Sequence, residues 1–314
     1  MRHIIENEFL KVEISEMGAD LVRLIDKKTN HDFVLGFESD QEYKDCGGNL
    51  GMCIGRNANR IKNAKFSLNG IEYKLTVNDN MNQLHGGGEN GFGYKEWTVK
   101  EKSDDLISLY YDAKDLEEGF PGNCHAEVEY KLEKNNLVIT FTGKSDKDTI
   151  FNMTNHAYFT LGKDNIYEDE LKVYTDKYSP TDEFALTKDE VVDVKDTPYD
   201  FREFTKIGNN LSKLDSGIDN NYVWENMDDK LMCELKNEKI QLNLYSDLPD
   251  MHLYTAYHLN VDIAKAGKNY GRYGGIAMEC QFYPNGINYN GFIKPILKKD
   301  EVSKHYMRFE IKTL

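Results

Sequence analysis

Several segments of this chain place an ionisable side chain among residues that belong in a protein interior. His156 follows Asn155 inside Ile150-Phe151-Asn152-Met153-Thr154-Asn155-His156-Ala157-Tyr158-Phe159, and Glu279 sits in Gly274-Gly275-Ile276-Ala277-Met278-Glu279-Cys280-Gln281-Phe282-Tyr283-Pro284. An unpaired carboxylate in such a setting is costly, so Glu279 must be paired, hydrogen-bonded or functional. Carboxyl and imidazole groups are residue types that proton transfer uses, which makes both positions candidates for catalysis. Three further segments carry polar groups in glycine-rich contexts. These are Asn59 and Arg60 in Gly55-Arg56-Asn57-Ala58-Asn59-Arg60-Ile61, His85 in Asn82-Gln83-Leu84-His85-Gly86-Gly87-Gly88, and Asp219 in Gly217-Ile218-Asp219-Asn220-Asn221-Tyr222. Each has a plain structural reading as well. A lone buried histidine such as His156 is more often a hydrogen-bonded core residue than a catalyst. Glu279 suits a structural ion pair equally well, Arg60 and Asp219 could form one buried salt bridge, and His85 could mark a loop tip.

Other motifs carry less. Gly86-Gly87-Gly88-Glu89-Asn90-Gly91 has the letters of GxGxxG, but a dinucleotide site needs a strand before it and a helix after it. The following Phe92-Gly93-Tyr94-Lys95-Glu96-Trp97-Thr98-Val99 reads as loop, then strand. There is no HExxH, GxSxG, P-loop or CxxC. His85, His156, His252 and Glu279 are metal-ligand types without metal-ligand spacing, so neither a metal nor a cofactor is expected.

The 314 residues carry a formal charge of −15, with 39% apolar and 30% charged residues. That mix is ordinary for a globular chain. The negative balance disfavours nucleic acid and anionic lipid, and favours a neutral small molecule over a phosphorylated one. No stretch approaches the length of a membrane span. The first residues lack the apolar core of a signal peptide. Five irregularly spaced cysteines, Cys46, Cys53, Cys124, Cys233 and Cys280, suggest free thiols in a reducing compartment. The expectation is a cytoplasmic protein, monomer or homodimer.

The elements that must position these residues have a period of two. Phe66-Ser67-Leu68 and Ile71-Glu72-Tyr73-Lys74-Leu75-Thr76-Val77 alternate around Asn69-Gly70, a strong hairpin signal because both turn residues need positive φ. Cys124, Ala126, Val128, Tyr130 and Leu132 alternate with polar residues before Asn135-Asn136 turns the chain into Leu137–Phe141. Leu10–Ile14, Leu106–Tyr111, Lys239–Tyr245, His252–Tyr254 and Tyr306–Ile311 read as further strands. Convincing amphipathic helices are absent, with 204–214 the best place for a short helical turn. The 20 Tyr and 15 Phe residues suit strands. The reading is one all-β domain over residues 1–314, a large sandwich of two antiparallel sheets whose N- and C-terminal halves share continuous sheets.

In this order the segments resemble the aldose 1-epimerase (galactose mutarotase) family. Gly55–Ile61 is similar to its GRxANRI, Asn82–Gly87 to its N-x-LHGG, and Thr154–Phe159 to its TNHTYFNL. Gly217–Val223 is similar to its GFDHNFV, and Met278–Pro284 to its LETQ-x-x-P. The resemblance runs from Val34 to Leu297. It implies a β-supersandwich with an open sugar cleft, and anomer interconversion of a free hexose such as galactose or glucose without a cofactor. By it, Glu279 is the base and His156 the acid, while Asn59, Arg60, His85 and Asp219 contact the sugar. Histidine at position 252 stands where the family often has glutamine, which makes His252 a sugar-contacting candidate. Ala157, Asn220 and Cys280 also depart from the usual threonine, histidine and threonine, and these departures bear on sugar preference. Tyr222, Tyr158 or Phe282 could stack on the pyranose. Glycoside hydrolysis by a Glu279/Asp219 pair and non-catalytic sugar binding remain as competing readings.

Overall fold

The computed structural model describes residues 1–314. Asn69 and Gly70 have φ of +52° and +79°, the values a two-residue hairpin turn requires. They join Lys65–Leu68 to Ile71–Lys74, with Leu68 opposite Ile71. The second strand stops at Lys74, short of Val77. Its partner begins at Lys65, after a 3-10 turn over Lys62–Ala64, so no ladder remains beyond that point. In the longer hairpin Cys124–Glu133 pairs with Asn136–Ser145, and Glu133 faces Asn136. The turn is therefore Lys134-Asn135, one residue earlier than the asparagine pair suggests, with Lys134 at φ +57°.

These strands build a nine-stranded antiparallel sheet. Its order is Thr98–Lys102, Leu106–Ala113, Cys124–Glu133, Asn136–Ser145, Val302–Thr313, Ile240–Ser246, Lys230–Lys236, Glu170–Val173 and Thr205–Lys206. The pairing of Asn136–Ser145 with Val302–Thr313 joins segments from both halves of the chain. A second, six-stranded sheet runs Tyr158–Phe159, Ile276–Gln281, Asp250–Tyr254, Asp219–Val223, Lys177–Ser179 and Val192–Asp193. The sheets bury a common core, to which the first contributes Val128 and Tyr130 and the second Met251, Leu253, Met278 and Cys280. The architecture is the expected all-β sandwich. A four-stranded antiparallel sheet, Arg2–Glu6 through His31–Asp32, adds to it.

Two short helices are present. Ile207–Leu211 falls where a helical turn was expected. Asp40–Cys46 was not expected, although Ser39 and Glu42 form a capping box in which the Glu42 backbone N–H donates to Ser39 Oγ at 3.3 Å and the Ser39 N–H to Glu42 Oε2 at 2.7 Å. The Ser-x-x-Glu signal was there; seven residues are too few to show an amphipathic period. All five cysteines are free thiols. No helix is long and apolar enough to cross a membrane.

Candidate active site

Alternation along strands decides what the six-stranded sheet offers to each side. Met278 and Cys280 enter the core, so Glu279 between them points to the opposite face. His252 lies directly across from Glu279, Asn221 across from His252, and Asp219 across from Tyr254. Directly opposed residues share a face, which gathers Glu279, His252, Tyr254 and Asp219 on one side of the sheet. His156 arrives from the Thr154–Asn155 segment. It is held by its backbone N–H donating to the Met52 carbonyl at 2.9 Å, while its own carbonyl accepts from the Gly51 N–H at 3.0 Å.

The glycine-rich segments supply the remaining wall. Arg60 pairs with Leu84 across a two-residue ladder, which places His85 beside Asn59. The His85 N–H donates to the Asn59 carbonyl at 3.1 Å, and the Asn59 N–H donates to His85 Nδ1 at 3.3 Å. Gly86 makes this clasp possible. It sits at φ +72°, and a Cβ there would lie 2.1 Å from the Gly55 carbonyl oxygen. Gly86→Ala is expected to lose at least about 1–2 kcal/mol from the left-handed backbone alone, with further loss from the clash. The urea midpoint should fall and activity with it.

All seven residues singled out in the sequence line one cleft of about 370 Å³: Asn59, Arg60, His85 and His156 with Asp219, His252 and Glu279. His156 Nε2 stands 3.5 Å from Glu279 Oε1. The His85 and His156 rings meet edge to face with centroids 5.3 Å apart. Arg60 and Asp219 are not partners. Arg60 Nε donates to Asp79 Oδ2 at 2.7 Å and its Nη1 to the Ala185 carbonyl at 3.2 Å, while Asp219 Oδ1 is 2.7 Å from His252 Nε2.

The electrostatics follow from burial. Glu279 is 1% exposed, and burial, reinforced by the Asp219 charge, pushes its carboxyl well above the usual range. Burial pulls the His156 imidazole down to about 4. His85 also falls well below its ordinary value, first through burial and then through the charges of His156, Arg60 and His252. Burial pushes Asp219 up too, but the His252 hydrogen bond and the His252 and Arg60 charges outweigh it and hold the carboxyl below its usual value. Asp219 is thus the anionic group of the cleft. Burial thus favours the neutral forms of both Glu279 and His156.

His85, His156 and Glu279 bring ligand-type atoms within 4.8 Å of one another. The Asn59 N–H, however, occupies the Nδ1 lone pair of His85. By that partner the neutral ring carries its proton on Nε2, leaving no free lone pair to offer a metal. The same tautomer suits donation of a hydrogen bond into the cleft.

Of the three proposed stacking residues, Tyr158 lines the cleft. Tyr222 is in the core with its hydroxyl donating to the Tyr199 carbonyl, and Phe282 packs edge to face on His305. Tyr254, which also lines the cleft, was missed. It lies two residues beyond His252 on the same strand face, and that period could have identified it. Cys46, Asn49 and the 258–261 loop at the cleft mouth carry no local signal that separates them from ordinary loop residues.

The sequence model of the family described as Aldose 1-epimerase matches residues 1–310. The chain belongs to the aldose 1-epimerase family. It is 32% identical to a galactose mutarotase from Sus scrofa over 96% of this chain and 91% of that one. It is 30% identical to an aldose 1-epimerase from Escherichia coli (strain K12), covering 92% and 88%. The crystal structure of an aldose epimerase homologue from C. elegans superimposes with a TM-score of 0.93 at 27% identity, covering all of both chains. Set in this aldose 1-epimerase fold, three of the four departures from the family pattern lie outside the cleft. Ala157 and Cys280 are in the core, and Asn220 donates to the Ser179 carbonyl. Only His252 faces the cleft.

Proposed function

We propose that this protein is a mutarotase that interconverts the α and β anomers of a free hexose such as galactose or glucose, acting as a single domain. One observation carries the reading: a buried carboxyl and a buried imidazole 3.5 Å apart at the closed end of an open polar cleft. The Glu279 carboxylate takes the proton from the anomeric O1–H, the C1–O1 bond becomes a carbonyl, and the C1–O5 bond breaks. His156 delivers its proton to O5. The aldehyde turns about C1–C2 and presents its other face. O5 then attacks C1 and returns its proton to His156, as Glu279 returns its own to O1. Protons and electrons balance without an outside acceptor.

The active form, carboxylate with imidazolium, contains as many protons as the neutral pair that burial favours. Changing pH therefore does not convert one into the other. Sugar hydroxyls and the Arg60 guanidinium stabilise the ionic form, while the Nε2–H of His85 is available to an oxygen that gains charge. A raised carboxyl is a stronger base once ionised, and a lowered imidazolium a stronger acid. Asp219 and Asn59 are suited to sugar hydroxyls, and Tyr158 to an apolar ring face.

The test is polarimetry or NMR on fresh single anomers of galactose, glucose, xylose and arabinose. Rate acceleration supports the reading, while release of an aglycone from a chromogenic glycoside without mutarotation would replace it with hydrolysis. Hexose 6-phosphates should be poor substrates, since the Arg60 guanidinium is engaged by Asp79 and Ala185 and no lysine lines the cleft. His252→Gln keeps a hydrogen-bonding side chain but changes the Asp219 contact. It is expected to reorder galactose, glucose and xylose by kcat/KM while the best rate falls less than about tenfold. An unchanged order would make His252 structural. The free thiols and the lack of a membrane-crossing helix are compatible with work in the reducing cytoplasm, as monomer or homodimer and without a nucleic-acid partner.

A further inference from the structure

Beneath the cleft the six-stranded sheet carries a second set of polar side chains. Met278, Cys280, Met251, Leu253 and Tyr222 fill the core, so their strand neighbours Glu279, Gln281, Asp250, His252 and Asn221 leave the sheet on the other face. Register sets these in two adjoining rows. Glu279 lies across from His252 and His252 across from Asn221, while Gln281 lies across from Asp250. Glu279 and His252 line the cleft. Asn221 and Gln281, both 0% exposed, lie behind its walls. Tyr283 closes them in. It lies near Asp250 and Ser179, and its hydroxyl donates to the Lys188 carbonyl at 2.6 Å, with the Glu190 carbonyl at 3.2 Å.

Six buried polar atoms in these rows have no partner in hydrogen-bond geometry: Glu279 Oε2, His252 Nδ1, and both amide atoms of Asn221 and of Gln281. Left dry, they would together cost a large share of a domain's stability. Their needs are complementary. Glu279 Oε2 is an acceptor. So is His252 Nδ1, because the Nε2–H of that ring faces the anionic Asp219. The two amides supply both donors and acceptors. None of the six meets another directly, an arrangement that bridging water completes.

We propose that Asn221 and Gln281 are positioning residues for catalysis: with ordered water between them, their amides form a hydrogen-bonding floor that holds Glu279 and His252 from behind. This rests on the mutarotase reading. Donors behind Glu279 favour its carboxylate over the neutral acid, so the floor opposes burial and keeps the base ionisable. His156, His85, Arg60, Asp219, Tyr158 and His252 also face Glu279, and all of them stay in place when the floor is altered.

Asn221→Leu and Gln281→Met remove each amide at similar shape. Each should lower kcat for galactose by at least about tenfold, the size of a lost hydrogen bond to a charged group, with KM changed by less than about twofold. The alkaline limb of the pH profile should move up by about one unit, the same tenfold. Asn221→Ser keeps a hydroxyl and leaves room for water, and should stay within about threefold of wild type. Asp250 is the other carboxyl of the two rows, pushed up to about 8 by burial. The limb and its shift should therefore persist in an Asp250→Asn background. A high-resolution crystal structure should show water bonded to Glu279 Oε2 or His252 Nδ1 and to one of the two amides. A dry floor, an unmoved limb in both apolar variants, or a limb lost with Asp250 overturns the inference and leaves the mutarotase reading standing. If the apolar variants do not fold, Asn221→Ser and the crystal structure still decide. Wild-type protein that mutarotates no free hexose overturns both.

Discussion

Glu279→Gln should slow mutarotation by about 10²-fold or more, the share of a positioned acid–base group, equivalent to at least about 2.7 kcal/mol of barrier. The substitution keeps the volume and the hydrogen-bonding outline of a side chain that leaves the Ile276–Gln281 strand on the face opposite Met278 and Cys280, so the sheet should be undisturbed. It removes basicity alone. Galactose binding by calorimetry should persist, because Asp219, Asn59 and the aromatic wall are untouched. The pH profile should change as well. In the wild type the alkaline limb reports loss of the single proton of the pair, and it lies high because burial raises Glu279. In the variant His156 alone titrates, and because only its imidazolium can act as the acid, the residual rate should rise as pH falls toward about 4. A Glu279→Gln protein within about threefold of wild type would remove Glu279 from the mechanism and leave sugar binding as the better account.

His156→Asn should be comparably slow, by about 10²-fold, and it tests the other limb. Burial holds His156 at about 4. As pH falls through that value a second proton enters the pair, both groups are then protonated, and no base remains. The wild-type rate should therefore be level through neutrality and drop as pH approaches 4. Without His156 the residual rate rests on the Glu279 carboxylate alone, so the acid limb should move up in pH to the raised value of that carboxyl. The double variant should be little worse than either single one, because both groups act in one concerted step. Multiplicative losses would mean that they act in separate steps. His85 is the group to watch in that event, since its ring already touches that of His156.

Much of this was legible in the chain, for identifiable reasons. Strands announce themselves through alternation, and Asn69-Gly70 and the Cys124–Leu132 stretch are found where their patterns place them. The candidate site was legible as a set of residues, all seven now in one cleft, but not as a set of contacts. Charge alone would pair Arg60 with Asp219; the fold gives Arg60 to Asp79 and Asp219 to His252. Such pairings depend on which strands lie side by side, and a non-local neighbour leaves no trace in local spacing. The same limit explains Tyr222 and Phe282, aromatic residues whose inward direction follows from pairing rather than type. The helix Asp40–Cys46 escaped because it is too short for a period.

The assembly of the cleft from strands so far apart has a kinetic consequence. Asn59, His156, Asp219 and Glu279 come together only after the Ile276–Gln281 strand has paired with Asp250–Tyr254 on one side and Tyr158–Phe159 on the other. Pairings of this kind close long loops, and chains dominated by them refold in milliseconds to seconds or slower. Catalysis should thus be the last property regained after dilution from denaturant. Hairpins such as Cys124–Ser145 can form within their own stretch of sequence, so far-ultraviolet dichroism should return first. The interval between that signal and recovered turnover would time the closure of the six-stranded sheet.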